Sequence, residues 1–436
     1  MSVWTINPTT GLRGTLTLPG DKSVTHRAVI LTALAEGTSV VFGYSRGEDC
    51  LNTVRAFQAM GVTIEEQPDR LVVQGKGLWG LSEPSAPIEC GNSGTGIRLL
   101  AGVLAGQDYF SVLTGDESIR RRPMGRIVRP LREMGALIAG RRGGELAPLA
   151  ITGQKLKGIA YRSPVASAQV KSSILLAGLY AEGTTTVTEP RLSRDHTERI
   201  FRYFGISCVV DGTTVSIQGR PALGWNGKPV KVPGDFSAAA FFLVAGTIVG
   251  GGTVMLANVG VNPTRIGLLS ILTRMGAHIE VANRREEAGE PIADLVVHPA
   301  RLRGTTVTAD EIPSTIDEFP VLCVAAAVAA GPTYVTGAEE LRVKESDRIA
   351  TMGAELRKMG IRVDEKPDGM VIHGLGGATR LKGAACRSYG DHRVAMAMTI
   401  AGLVADSPTT IEDVECVKTS FPGFYSKLSE LLTPSA

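Results

Sequence analysis

Six stretches of the chain are apolar almost all round a helical period, and each opens on a polar loop containing glycine or proline. They are PGDKSVTHRAVILTALAEGTSVV from Pro19, CGNSGTGIRLLAGVLAG from Cys90 and SPVASAQVKSSILLAGLYAEGTTTV from Ser163. The other three are PGDFSAAAFFLVAGTIVGGGTV from Pro233, PSTIDEFPVLCVAAAVAAGPTYV from Pro313 and YGDHRVAMAMTIAGLVADSPTTI from Tyr389. A helix without a polar face is buried on every side, so six core helices are predicted, each running through a glycine or similar break into a Thr/Val strand. Successive starts lie roughly 70 to 80 residues apart, the length of a small α/β unit rather than a common solenoid repeat.

A second, amphipathic helix follows each of the first five. Leu51, Val54, Phe57 and Met60 form one apolar stripe; Ile266, Leu269, Leu272 and Met275 form another; Ile349, Met352, Leu356 and Met359 a third. Each stripe closes at a glycine, and a short strand follows: LVVQG, LAITG, VSIQG, LVVHP or MVIHG. The unit reads β-α-β-α-β-β, with strands outside buried helices. The sixth unit stops after SFPGFYSKLSELL, and VWTINPTTGLRGTLTLPG at the N-terminus supplies the missing strand-and-return. The expected fold is α/β (α+β): six repeated βαβαββ units, three per lobe. One lobe takes residues 1–19 plus 234–436 and the other 20–233, with hinges near Pro19–Gly20 and Pro233–Gly234.

The run from Phe236 to Leu256 carries no charge and has the length of a membrane span, about 20 residues. Gly250, Gly251 and Gly252 interrupt it, so a buried helix, a turn and a strand are predicted instead. MSVWTINPTTGLRG lacks the basic and apolar regions of a secretory signal, and a cytoplasmic placement is expected.

Composition changes the picture in three places. The 436 residues are too many for one core, and 52 glycines against 5% aromatics fit a motif of tight turns used repeatedly. Lys+Arg of 46 against Asp+Glu of 43 leaves a net charge of +3, which argues against a nucleic-acid or membrane-surface binder. The six cysteines and six histidines show no ligand spacing, so neither a metal site nor a cofactor is predicted.

Each polar loop sits at a helix N-terminus, where free N–H groups and the helix dipole attract anions. The loops also carry Lys22, Arg27, Arg98, Arg122, Lys171, Arg194, Lys344, Arg348 and Arg393, which together suit a small substrate with several negative charges. Gly20-Asp21-Lys22-Ser23 departs from a P-loop at Asp21, and Gly91-Asn92-Ser93-Gly94-Thr95-Gly96 has the wrong glycine order for a dinucleotide loop. Asp317 in IDEFP and Glu345 in VKESDR are the candidate acids. Lys344 and Arg348, four apart, are expected on one face of a first helical turn with Glu345 beside them. Read alone, KESDR is equally a solvated helix start, Asp317 a helix cap, and His392 a core or capping histidine.

The stretches LPGDKSVTHRA, GNSGTGIRLL, GDESIRRRPMGR, SPVASAQVKSSILLAGL, IDEFP, LRVKESDRI, YGDHRVAMA and TSFPGF resemble, in order from Leu18 to Phe424, the 5-enolpyruvylshikimate-3-phosphate synthase family. The resemblance implies a two-lobed inside-out α/β barrel, acting as a monomer on two small molecules without cofactor, metal, nucleic acid or membrane. It implies transfer of the enolpyruvyl group of phosphoenolpyruvate to the 5-hydroxyl of shikimate 3-phosphate. By position, Lys22, Ser23, Arg27, Ser167, Ala168, Gln169, Arg194, Asp317 and Lys344 would hold shikimate 3-phosphate. Lys22, Gly94, Arg122, Gln169, Arg348 and Arg393 would hold phosphoenolpyruvate, and Asp317, Glu345 and Lys22 would move protons. Ala168 stands where some members have a second serine, and Lys418 is one residue further from Phe421-Pro422 than the lysine of some members. Two alternatives stand beside this one. A UDP-N-acetylglucosamine enolpyruvyl transferase would carry a cysteine within Gly115–Arg122, which has none, and a repeat scaffold would keep its six loops alike.

Overall fold

A computed structural model describes residues 2–220, 224–376 and 380–432. The chain forms two compact units, one of Met1–Pro19, Gly234–Arg285 and Pro291–Ala436, the other of Gly20–Pro233 with Glu286–Glu290. They are called unit 1 and unit 2 below. The six apolar runs are helices. Unit 2 holds Lys22–Ala33, Gly94–Ala105 and Ala168–Gly178, and unit 1 holds Phe236–Ile248, Phe319–Val328 and His392–Leu403. Burial is all round, as the missing polar face requires: every residue of His392–Leu403 is buried. The uncharged run resolves into the helix Phe236–Ile248, a turn with Gly250, Gly251 and Gly252 at positive φ, and the strand Val254–Gly260. Among the described residues no helix is long and apolar enough to cross a membrane.

Among the described residues six sheets pack on these helices, and they repeat one pattern. A short leading strand lies parallel to the strand that leaves the core helix, and a third strand returns antiparallel to it. In the second sheet these are Ile88–Glu89, Phe110–Thr114 and Leu146–Thr152, with Leu137–Gly140 outermost. Two leading strands arrive from a distance in sequence. Val230–Lys231 joins Glu36–Phe42 in unit 2, and Gly14–Thr17 joins Val254–Gly260 in unit 1. The sixth sheet has three strands, and Val3–Ile6 provides the antiparallel one beside Thr409–Glu412. The amphipathic helices also form, the fourth as Gly267–Met275 with Ile266 as its N-cap residue.

The glycines that end the short strands have a common cause. A Cβ on Gly75 would stand 2.2 Å from the carbonyl oxygen of Ala35, and one on Gly374 would stand 2.2 Å from that of Ala329. Both carbonyls sit just past the C-terminus of a core helix, and the strand turns over them to donate Gly77 N–H to Ala35 and Gly376 N–H to Ala329. Backbone therefore packs on backbone, with no room for a side chain. Gly374→Ala is expected to destabilise unit 1 by about 3 kcal/mol, read as a lowered urea midpoint, because the obstacle is main chain that cannot rotate away.

Candidate active site

In unit 2 the three core helices begin at side-chain caps. Asp21 accepts from Val24 N–H at 2.9 Å, Ser93 from Gly96 N–H at 2.9 Å and Ser167 from Val170 N–H at 3.4 Å. These caps fix where each helix starts and therefore which residues follow in its first turn. Lys22, one residue inside its helix, places Nζ 2.9 Å from Asp49 Oδ2. Arg27 lies one turn further, buried, and its guanidinium is gripped by neutral groups. It donates to Thr197 Oγ1 and Ser172 Oγ at 2.7 Å each and to the Ser23 carbonyl at 2.9 Å. Burial, with Arg194 adding a like charge nearby, lowers the Arg27 pKa to about 10 against the pull of Glu198, Asp21 and Glu290.

Arg122 and Gly94 form a fitted pair. A Cβ on Gly94 would come within 2.9 Å of Arg122 Nη1, so the missing side chain is the seat of the guanidinium, which also donates to the Asn92 carbonyl at 3.4 Å. Gln169 is clamped between Thr95 Oγ1, to which it donates at 3.0 Å, and Arg98, from which its oxygen accepts. Ser167, Ala168 and Gln169 are all partly exposed. Lys171, expected among the loop cations, is instead buried between Glu189 Oε2 at 3.0 Å and Glu198 Oε1 at 2.7 Å. Burial alone would discharge it; the two carboxylates outweigh that and raise its pKa. Glu189 also accepts from Ser167 N–H at 2.9 Å, so this buried triad braces the third helix start.

Unit 1 is organised around Arg348, which is wholly buried. Its Nε donates to Asp391 Oδ2 at 2.8 Å and its Nη2 to Glu345 Oε2 at 2.7 Å, while Nη1 lies 3.6 Å from Asp317 Oδ1. Burial works against the Asp391 carboxylate, yet the charge of Arg348 holds it below the ordinary carboxylate range. Arg393 donates to the Asp317 carbonyl at 3.1 Å and lies 3.8 Å from its carboxylate. The cations expected to be in surplus here are thus matched by Asp317, Glu345 and Asp391.

The local conformation of VKESDRI differs from the expected helical turn. Asp347 caps the helix by accepting from Ala350 N–H at 3.1 Å, so the helix begins at Arg348. Lys344 and Glu345 precede it in extended and irregular backbone, both partly exposed. His392 is the buried first residue of its helix, and the cap is Asp391. Lys418 is exposed and paired with Glu415 at 2.5 Å.

Several charged residues escaped the sequence reading: Asp49, Glu189, Glu198 and Asp391 above, and a buried group in unit 1. There Arg265 donates to Asp235 at 3.0 Å and to Ser237 at 2.9 Å, and Ser237 donates to Glu318. A signal existed for two of them. Asp235 in PGDFS and Asp391 in YGDHR occupy the place of Asp21 in PGDKS, the capping position of the repeat.

Helices enclosed by repeated four-stranded sheets define a class already seen in solved proteins. The enolpyruvyl transferase NikO from Streptomyces tendae superposes with a TM-score of 0.80 over 98% of this chain and 97% of its own, at 19% identity, which is a likeness of fold. The EPSP synthase from Acinetobacter baumannii superposes with a TM-score of 0.88, at 46% identity over 99% of this chain and 98% of that one. The 3-phosphoshikimate 1-carboxyvinyltransferase of Geotalea uraniireducens is 52% identical over the full length of both chains. The profile of the family described as EPSP synthase (3-phosphoshikimate 1-carboxyvinyltransferase) matches residues 6–428, and the chain belongs to that family.

His26 offers a test of the electrostatics beneath the unit 2 cations. Burial, then the charges of Lys22 and Arg27, push its pKa well below the ordinary value. The folded chain therefore keeps His26 neutral where the unfolded chain binds a proton, so stability is full above about pH 6.5 and falls below it. His26→Gln, which can keep contacts to Thr53 and Ser93, is expected to flatten the fall in urea midpoint between pH 7 and 5. One proton corresponds to about 1.4 kcal/mol per pH unit.

Proposed function

We infer that the chain transfers the 1-carboxyvinyl group of phosphoenolpyruvate to the 5-hydroxyl of shikimate 3-phosphate, releasing inorganic phosphate. The observation that carries this reading is the family match over residues 6–428. The two sets of residues support it chemically. Unit 2 offers fixed guanidinium and ammonium donors beside helix N-termini, which suit the phosphates and carboxylates of both substrates. Unit 1 offers carboxylates held in place by a buried arginine.

The reaction needs a proton on the methylene of phosphoenolpyruvate, so that the neighbouring carbon becomes electrophilic, and a base for the attacking hydroxyl. The C–O bond then forms to give a tetrahedral intermediate still bearing phosphate. Loss of phosphate, with removal of a proton from the new methyl group, restores the double bond. We assign Asp317 as the base for the hydroxyl and Glu345 with Lys22 to the proton exchanges at the methylene carbon. Ser23, Arg27, Ser167, Ala168, Gln169, Arg194 and Lys344, with Lys22 and Asp317, are assigned to shikimate 3-phosphate. Gly94, Arg122, Arg348 and Arg393, with Lys22 and Gln169, are assigned to phosphoenolpyruvate. The fit of Gly94 beneath Arg122 supports the second group, since the glycine leaves the guanidinium in one place. The partly exposed Ser167-Ala168-Gln169 step, braced by Glu189, supports the first. We propose further that the chain acts as a monomer in the cytoplasm.

Phosphate release from phosphoenolpyruvate is expected with shikimate 3-phosphate as co-substrate and not with UDP-N-acetylglucosamine. Release with the nucleotide sugar alone, or with neither, would overturn the reading. Asp317→Asn should lower kcat by about a hundredfold or more, as loss of a general base does, with a smaller change in KM. Glu345→Gln should also lower kcat, and undiminished turnover would remove Glu345 from the mechanism. Gly94→Ala should raise KM for phosphoenolpyruvate several-fold by displacing Arg122, with KM for shikimate 3-phosphate little changed.

A further inference from the structure

We propose that His278, Glu280 and His298 bind a divalent transition-metal cation, of which Zn2+ is the natural probe, on the fourth sheet of the fold. Sequence spacing predicted no such site, because the two histidines are far apart along the chain and only strand pairing brings them together. His278 and Glu280 stand two residues apart on the strand His278–Glu287, so they leave the same face of it. His298 ends the strand Glu290–His298, which is hydrogen-bonded to that edge strand.

The two imidazoles converge on one carboxylate oxygen. His298 Nε2 lies 3.3 Å and His278 Nε2 3.6 Å from Glu280 Oε1. The rings stack with centroids 4.5 Å apart and planes 25° from parallel, and one ligand atom from each residue lies within 4.8 Å of the others. Donors at about 2.0–2.2 Å from a tetrahedral zinc ion stand roughly 3.3–3.5 Å from each other, so these spacings match edges of a coordination shell. They are the one such set among the described residues.

Two further features point to a cation. His298 Nε2 is shielded from solvent and makes no hydrogen bond among the described residues, although it faces the carboxylate. Its Nδ1 lies 3.2 Å from Thr253 Oγ1, a partner that can accept Nδ1–H and leave the Nε2 lone pair turned toward Glu280. Such an outer partner fixes the tautomer and ring orientation of a metal-binding histidine. The same cross-strand place in two other sheets is filled by Gln74 beside Thr38 and Gln218 beside Thr184. The threonine contact is therefore part of the repeat, and the fourth sheet differs in adding a second imidazole and a carboxylate.

Two imidazoles and one carboxylate suit Zn2+, Ni2+ or Cu2+, whereas Ca2+ and Mg2+ prefer oxygen donors alone. The remaining coordination positions face solvent, since His278 and Glu280 are exposed. The bound ion would tie the edge strand to its neighbour and raise the stability of the native chain in proportion to its occupancy.

The test is isothermal titration of the chelator-stripped full chain with Zn2+, alongside visible spectra with Co2+. One saturable equivalent is expected, with a cobalt spectrum of nitrogen and oxygen ligation and a rise in Tm on adding zinc. His278→Ala and His298→Ala should each weaken binding about tenfold or more, and Glu280→Gln should weaken it too. Melting of the metal-free His278→Ala variant should match the parent, and its turnover under chelator should be unchanged. Zinc affinity equal to the parent's in both histidine variants, or the absence of a saturable equivalent, would overturn the site.

Discussion

A helix buried on every side meets polar groups chiefly near its two ends, and the six core helices shape the rest of the structure through that restriction. At the C-terminal ends, carbonyls without a partner within the helix receive N–H groups from the closing strand. That approach is close enough to require glycine at Gly75 and Gly374. At the N-terminal ends, the amides are partly met by Asp21, Ser93, Ser167, Asp235 and Asp391. The amides left over, with the dipole behind them, make these ends the places where polar chemistry gathers.

The two units meet this situation with different charges. In unit 2 Arg27, one turn into its helix, is held by Thr197, Ser172 and a carbonyl. In unit 1 the central arginine is surrounded by Asp391, Glu345 and Asp317. A buried cation fixes the positions of three carboxylates that would otherwise repel one another. A single repeated frame thus holds one buried arginine among hydroxyls and a carbonyl and another among carboxylates.

The frame was legible in the sequence because its signal is redundant. Each repeat gives a polar opening, an all-apolar helix, a glycine and a β-branched strand, and several copies average out the ambiguity of any one. The candidates Lys22, Arg122 and Glu345 could be named because they sit in motifs shared with a family. The buried ion pairs were not. Glu189 and Glu198 look like surface acids when read in order, and only tertiary packing brings them to Lys171. The start of the helix at Arg348 was missed for a local reason: the capping carboxylate is Asp347, four residues into a stretch whose charges alone suggest an earlier start.

The strand Val3–Ile6 pairs with Thr409–Glu412, and the whole of Gly20–Pro233 lies between them in sequence. On the ribosome, unit 2 has nearly all of its chain in hand once Val230–Lys231 has emerged to complete its first sheet. Val3–Ile6 must meanwhile wait as an unpaired, β-prone peptide until Thr409–Glu412 has followed. A strand of four residues, Val-Trp-Thr-Ile, is a small liability to carry through translation. A longer strand in this place would have been an invitation to pair with a neighbouring nascent chain.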